Sequence, residues 1–153
     1  MEYIEQFSHE NGGTELKQRG LSDWVSEVFD AAIIKIGKGT TNAIRDHVRG
    51  KLLIKGWSNE IPIDPAFDLT VFSIGQDVAF QIQTGNISRA FYDLVKLQYL
   101  YNRGKIKTAI LAVPSQTAAK NIGSNIANFN RVMNELPLFR SVITLPLTLI
   151  SFQ

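Results

Sequence analysis

Three polar side chains in the stretch FDLTVFSIGQDVAFQIQTGN, from Phe67 to Asn86, have the types and spacing of a site for a hard cation. Asp68 opens one predicted strand, and Gln81 and Gln83 lie two residues apart in the next. Because side chains alternate along a strand, the two glutamines share a face, and hairpin pairing would bring Asp68 towards one end of it. Mg²⁺ prefers oxygen ligands, with one or two carboxylates completed by water and a substrate phosphate. Two interpretations stay open at this point: an adapted metal site, or a hairpin with one solvated polar face.

The same residues resemble the PD-(D/E)XK nuclease motif, in which an aspartate starts one strand and an acid-x-acid, lysine or glutamine triplet lies in the next. Within that superfamily the chain is most similar to type II restriction endonucleases of the Bgl/Bam type, whose triplet is Glu-x-Gln. The similarity covers about 85 residues, from Asp68 to Phe152, through three further strings: IQTGNISRAFYDLVKLQYLYNRGKIKTAILAVPSQ, IGSNIANFNRVMNEL and LPLTLISF.

The resemblance implies a Mg²⁺-dependent DNA endonuclease of restriction type that hydrolyses phosphodiester bonds in double-stranded DNA. It makes Asp68, Gln81 and Gln83 the catalytic residues, and Asp68, Gln81 and Ile82 the metal-binding ones. Gln83 stands where the family holds the residue that positions the attacking water. Because both strands of a palindrome must be cut, two copies of the site are needed, and a homodimer follows.

Gln81 departs from the family pattern, which has a glutamate at this position. The two side chains have nearly the same shape, so the exchange would spare the fold and weaken metal binding through the loss of a charge. The chain is therefore either an enzyme captured as an inactive Glu-to-Gln form or a catalytically dead nuclease-fold module that binds DNA or another protein.

Residues that follow the second strand are candidates for contact with DNA: Thr84, Gly85, Asn86, Ser88, Arg89 and Lys96. They lead into a helix, whose N-terminus favours anions. In a purely structural interpretation Gly85 is a turn residue, Asn86 is the N-cap and Lys96 is a solvated charge. The chain has 8 Lys and Arg against 12 Asp and Glu up to Gln83, and 8 against 2 after it. This asymmetry has two interpretations, a cationic face that binds a phosphate backbone or scattered solvated lysines.

Length and composition bound the remaining possibilities. The 153 residues predict a single domain spanning 1–153, and the resemblance implies that it is nuclease-like. The absence of cysteine excludes disulfides and thiolate metal sites, and no apolar run reaches the roughly 20 residues of a membrane span. A cytoplasmic location is the resulting expectation.

Hydrophobic periodicity predicts an α/β fold with a mixed central sheet flanked by helices. The resemblance implies that this fold has a restriction-endonuclease-like core. Pro146 predicts that the last strand lies at an edge or carries a bulge. The predicted elements are helices Leu21–Ile36, Thr41–Lys55, Asn86–Arg103 and Gln116–Leu136, a hairpin turn Ser73–Gln76, and strands Ile106–Val113 and Val142–Phe152.

Overall fold

A five-stranded mixed sheet lies at the centre of the protein, whose computed structural model describes residues 1–153. The protein has seven strands, of which β2 and β3 lie outside this sheet: β1 (Tyr3–His9), β2 (Ile61–Pro62), β3 (Thr70–Val71), β4 (Ser73–Gly75), β5 (Val78–Ile82), β6 (Thr108–Pro114) and β7 (Leu147–Phe152). The helices are α1 (Gly12–Gln18), α2 (Ser22–Val28), α3 (Thr41–Ile54), α4 (Ile87–Asn102), α5 (Gln116–Ile122) and α6 (Phe129–Glu135), followed by a 3₁₀ turn Leu136–Phe139.

The central sheet has the order β1-β7-β6-β5-β4. Strands β5, β6 and β7 are parallel, and the edge strands β1 and β4 pair antiparallel with their neighbours. Helix α4 connects the parallel strands β5 and β6, as a strand-helix-strand unit requires. Strands β2 and β3 form a separate two-stranded sheet. The predicted mixed sheet flanked by helices is confirmed.

Two hydrophobic cores cover the two faces of this sheet. The alternation along β5 separates them: Val78, Phe80 and Ile82 pack with α2 and α3, while Ala79 packs with α4 and α6. Gln81 therefore lies on the α4 side, at the end of the strand, where the second core gives way to a polar cavity.

The predicted strand that begins at Asp68 is wrong. Asp68 lies in an exposed bend, and only Thr70 and Val71 form the short strand β3, which pairs with β2. The hairpin turn is also displaced from Ser73–Gln76, because Gln76 and Asp77 both adopt left-handed backbone angles (φ 52° and 60°) and join β4 to β5.

Two predicted helices are shorter in the structure. Helix α2 ends at Val28 because the following chain bonds to the N-terminus: Ala31 donates its N–H to the Met1 carbonyl and accepts from the Met1 amine. The helix expected over Gln116–Leu136 is broken after Ile122, and the Asn128 side chain caps the new helix α6.

Neither alternative predicted from Pro146 is correct: β7 is not an edge strand, and the register shift in its pairing with β1 lies near Tyr3, at the end of β7 away from Pro146. Strand β7 starts at Leu147 and lies between β1 and β6, while Pro146 stands just before it and accepts hydrogen bonds from Ala109 N–H and Thr108 Oγ1. Strand β1, which the sequence did not predict, supplies the true edge.

Candidate active site

A polar cavity of about 530 Å³ opens between α3, the end of β5 and the first half of α4. Only one of its lining residues is hydrophobic. The lining residues are Thr41, Arg45, Gln81, Gln83, Thr84, Gly85, Arg89, Tyr92, Asp93 and Lys96. Six of the site residues predicted from the sequence therefore line this cavity: Gln81, Gln83, Thr84, Gly85, Arg89 and Lys96.

The two glutamines are held by hydrogen bonds that fix their side-chain amides. Gln81 is 7% exposed, and its Oε1 accepts the Phe72 N–H at 3.0 Å. The Oε1 of Gln83 accepts the Gly85 N–H at 2.7 Å, and its Nε2 donates to Asp93 Oδ2 at 2.7 Å. Both side chains are therefore part of the wall of the cavity and do not swing freely.

Asp93 is the only carboxylate of the cavity, and sequence reasoning gave it no role. It is buried on α4 and forms an ion pair with Lys96 Nζ at 2.7 Å, while the same ammonium donates to the Thr70 carbonyl at 2.9 Å. The signal was present in the sequence, because an aspartate on the apolar face of a helix three residues before a lysine is typical of a buried ion pair.

Arg45 reaches the cavity from α3. Its Nη1 donates to the Ile82 carbonyl at 3.3 Å, and its guanidinium lies 4.8 Å from the centre of the Phe72 ring. Burial is the main influence on the pKa of Arg45, which it lowers, and Glu60 opposes that shift. Because an arginine starts from so high a value, the side chain keeps its charge.

The remaining predicted site residues fall outside the cavity. Asp68 is exposed in the bend before β3. Asn86 and Ser88 are exposed at the start of α4, where Asn86 Oδ1 accepts the Ser88 N–H as a helix cap. The N-cap role predicted for Asn86 is confirmed.

The donor set of the cavity does not fit a divalent cation. A Mg²⁺ site needs carboxylate oxygens that are free to bind it, but Asp93 is already paired with Lys96. Glutamine offers only a neutral oxygen, and that of Gln81 already accepts one hydrogen bond from the Phe72 N–H. The protein contains no group of three or more His, Cys, Asp or Glu side chains arranged to hold a metal ion.

The chain matches a known protein family and is similar to solved structures. The model of the restriction endonuclease BglII/BglIII family matches residues 4–152. The crystal structure of the restriction endonuclease BglII complexed with a DNA 16-mer is similar, with a TM-score of 0.78 and 15% identity over 96% of this chain and 74% of that chain. Free BglII gives a TM-score of 0.73 and 16% identity over 97% of this chain and 78% of that chain. No curated protein matches the chain.

Proposed function

The chain belongs to the restriction endonuclease BglII/BglIII family, and we propose that its cavity between α3 and α4 binds a phosphate of double-stranded DNA without cutting it. Membership confirms that the chain comes from the predicted enzyme class, a family of restriction endonucleases. Our proposal concerns this particular sequence, in which Gln81 stands where the resemblance implies a glutamate.

The charge of the cavity is the observation that carries the proposal. Arg45, Arg89 and Lys96 face a single carboxylate, Asp93, which balances only one of them. Cationic side chains around a polar concavity attract phosphate, and arginine matches its oxygens with paired N–H donors. The family assignment indicates which phosphate this is, because BglII is similar in fold and its structure contains a DNA 16-mer.

The metal role of the predicted residues stays a prediction. The restriction endonuclease family generally uses a divalent metal, and the resemblance implied Mg²⁺ at Asp68, Gln81 and Ile82, with Gln83 positioning water. The exposed bend at Asp68 and the pairing of Asp93 support instead a site that holds phosphate by side-chain charge. The captured enzyme and the dead module that binds DNA share this DNA-binding step, whereas a module that binds another protein would lack it.

Cleavage assays with plasmid DNA in Mg²⁺ or Mn²⁺ test the inactive state. We expect no cleavage by the wild-type chain. We also expect none by Gln81→Glu, because Arg45 still faces the Ile82 carbonyl and Asp93 is still paired. Cleavage by the wild-type chain would contradict the proposal, and cleavage by Gln81→Glu alone would show that the missing carboxylate was the one obstacle.

The affinity for duplex DNA tests the phosphate-binding step, and α4 offers a matched pair of variants. Arg89 lines the cavity, whereas Arg103 caps the other end of the helix, about 21 Å away at 1.5 Å per residue. We expect Arg89→Ala to weaken binding and to reduce the slope of log K against log salt by about 1. Arg103→Ala should change neither by as much. Equal effects of the two variants would argue against the cavity as the phosphate site.

A homodimer and a cytoplasmic location belong to the same proposal. None of the helices has the length and apolarity that crossing a bilayer requires.

Helix α4 exposes Tyr92 and Val95 beside Phe67, on an apolar groove of about 250 Å³ that a second copy would cover. We expect the chain to elute as a dimer, and Val95→Asp to shift it towards monomer in light scattering. A wild-type monomer at all concentrations would exclude this arrangement.

A further inference from the structure

We propose that the guanidinium of Arg45 takes the place of a divalent cation at this site, so that the phosphate is bound by a fixed organic cation. This inference rests on the proposed binding of DNA phosphate in the cavity. It explains why a nuclease-family site can lack free carboxylates and still be polar and open.

The position of Arg45 is the first argument. Its Nη1 donates to the carbonyl of Ile82 at 3.3 Å, and Ile82 is one of the residues that the resemblance assigned to the metal. A metal ion at that carbonyl would lie within a few ångströms of the guanidinium charge, and two like charges at such a distance repel strongly in a partly buried site. The carbonyl therefore serves one cation, and that cation belongs to the protein.

The groups that Arg45 contacts directly are neutral, the Ile82 carbonyl and the Phe72 ring, and Glu60 is the carboxylate that acts most strongly on its charge. Phe72 lies next to Gln81, donates its N–H to Gln81 Oε1, and places its buried ring 4.8 Å from the Arg45 guanidinium. An aromatic face stabilises an organic cation directly. Phe72 thus contacts both the neutral amide of Gln81 and the guanidinium of Arg45, and it holds the two side chains next to each other in a site without a metal.

Arg45 also keeps the donors that phosphate requires. A guanidinium has five N–H donors, and the hydrogen bond to the Ile82 carbonyl is the one that Arg45 makes within the protein. The others remain for a ligand in the cavity that Arg45 lines with Arg89 and Lys96. A planar fork with free donors fits two oxygens of a phosphodiester.

The test compares two replacements of Arg45 with a matched control on the same helix. Arg49 lies one turn further along α3, its guanidinium is 5.3 Å from the same Phe72 ring, and it does not line the cavity. Arg45→Met keeps an unbranched stem over Phe72 but removes the charge, and Arg45→Lys keeps the charge but loses the fork. Arg49→Ala removes a comparable charge outside the site. Near-ultraviolet circular dichroism of every variant confirms that the packing around Phe72 is retained.

Fluorescence anisotropy with a labelled duplex in EDTA gives the first readout. We expect Arg45→Met to weaken binding about 10- to 100-fold, the loss of charge-assisted hydrogen bonds to phosphate. Arg45→Lys should fall between it and the wild type, and Arg49→Ala should stay within about twofold of the wild type. Electron paramagnetic resonance with Mn²⁺ gives the second readout, and we expect the free wild-type protein to bind none at millimolar concentration.

The outcomes separate this inference from the proposed function. Wild-type affinity in Arg45→Met, with weakened binding in Arg89→Ala, would overturn the role of Arg45 and leave the phosphate site standing. Wild-type affinity in both variants would overturn the two proposals together. Stoichiometric Mn²⁺ binding by the wild-type protein would overturn the claim that Arg45 replaces a metal, whatever the DNA affinities are.

Discussion

We predict that Asp93 stabilises the fold and does not strengthen DNA binding. The variant Asp93→Asn should therefore lower the free energy of unfolding without weakening the affinity for DNA. The carboxylate is 3% exposed, lies 2.7 Å from Lys96 Nζ and accepts the Gln83 Nε2 donor. Asparagine has the same shape but no charge, so the ammonium of Lys96 would be left in a largely buried position with the Thr70 carbonyl and the Tyr92 ring as its partners.

The expected cost follows from the burial of this pair. Removing one partner of a buried ion pair costs about 3–5 kcal/mol. The Lys96 side chain retains 13% exposure, and asparagine can still bond to Gln83, so we place Asp93→Asn at the lower end, about 3 kcal/mol. For a chain of this size that lowers the melting temperature by roughly 6–12 °C. DNA affinity in EDTA should be unchanged or higher, because the cavity loses its one negative charge.

Urea unfolding followed by circular dichroism measures the first quantity, and anisotropy with duplex DNA measures the second. Asp46 provides the matched control: it pairs with Arg49 at the same 2.7 Å and the same helical spacing, but its side chain is 71% exposed. Asp46→Asn should cost less than about 1 kcal/mol. Equal costs for the two variants, or loss of DNA binding in folded Asp93→Asn, would refute this reasoning.

Three smaller predictions concern the scaffold. Gly12→Ala should destabilise the fold by about 1–3 kcal/mol in urea unfolding, because its Cβ would lie 2.2 Å from the Leu147 backbone; an unchanged midpoint would contradict this packing. Gly50→Ala should raise stability by up to about 1 kcal/mol, since the site is open and lies inside α3; a lower midpoint would be contrary evidence. Burial, and after it the charge of Lys51, lowers the pKa of His47 from 6.5. The neutral His47 therefore adds to the free energy of unfolding above pH 6.5, and this stabilisation is lost as the pH falls through the lower pKa of the folded state. His47→Gln should flatten the stability profile below pH 6.5, and a profile identical to that of the wild type would count against a half-buried neutral histidine.

Local sequence signals predicted the parts of the fold that depend on local periodicity. The alternation from Val78 to Ile82 predicted both a strand and its two faces, and Asn86 marked the start of α4 correctly. The two predicted helices that are shorter in the structure are interrupted by contacts with residues distant in the sequence. The amine of Met1, which ends the helical stretch near Ala31, and the contact of Ala127 with Gly85 that interrupts the last long helix were both invisible to periodicity.

The site was predictable in place but not in composition. The spacing of Gln81 and Gln83 located the cavity, because residues two apart on a strand share a face. Arg45 comes from a helix 36 residues earlier in the chain than Gln81, and only the tertiary fold brings its guanidinium to the Ile82 carbonyl. Asp68 does not join them because it lies in an exposed bend before β3, which pairs with β2 outside the central sheet.

The claim that side-chain charge replaces a metal is tested most directly by one comparison on the wild-type protein. The dissociation constant for a duplex is measured in EDTA and again in Mg²⁺, at matched ionic strength. We predict equal constants under the two conditions and a steep rise of both with salt. Binding that appears only when Mg²⁺ is added would contradict the account.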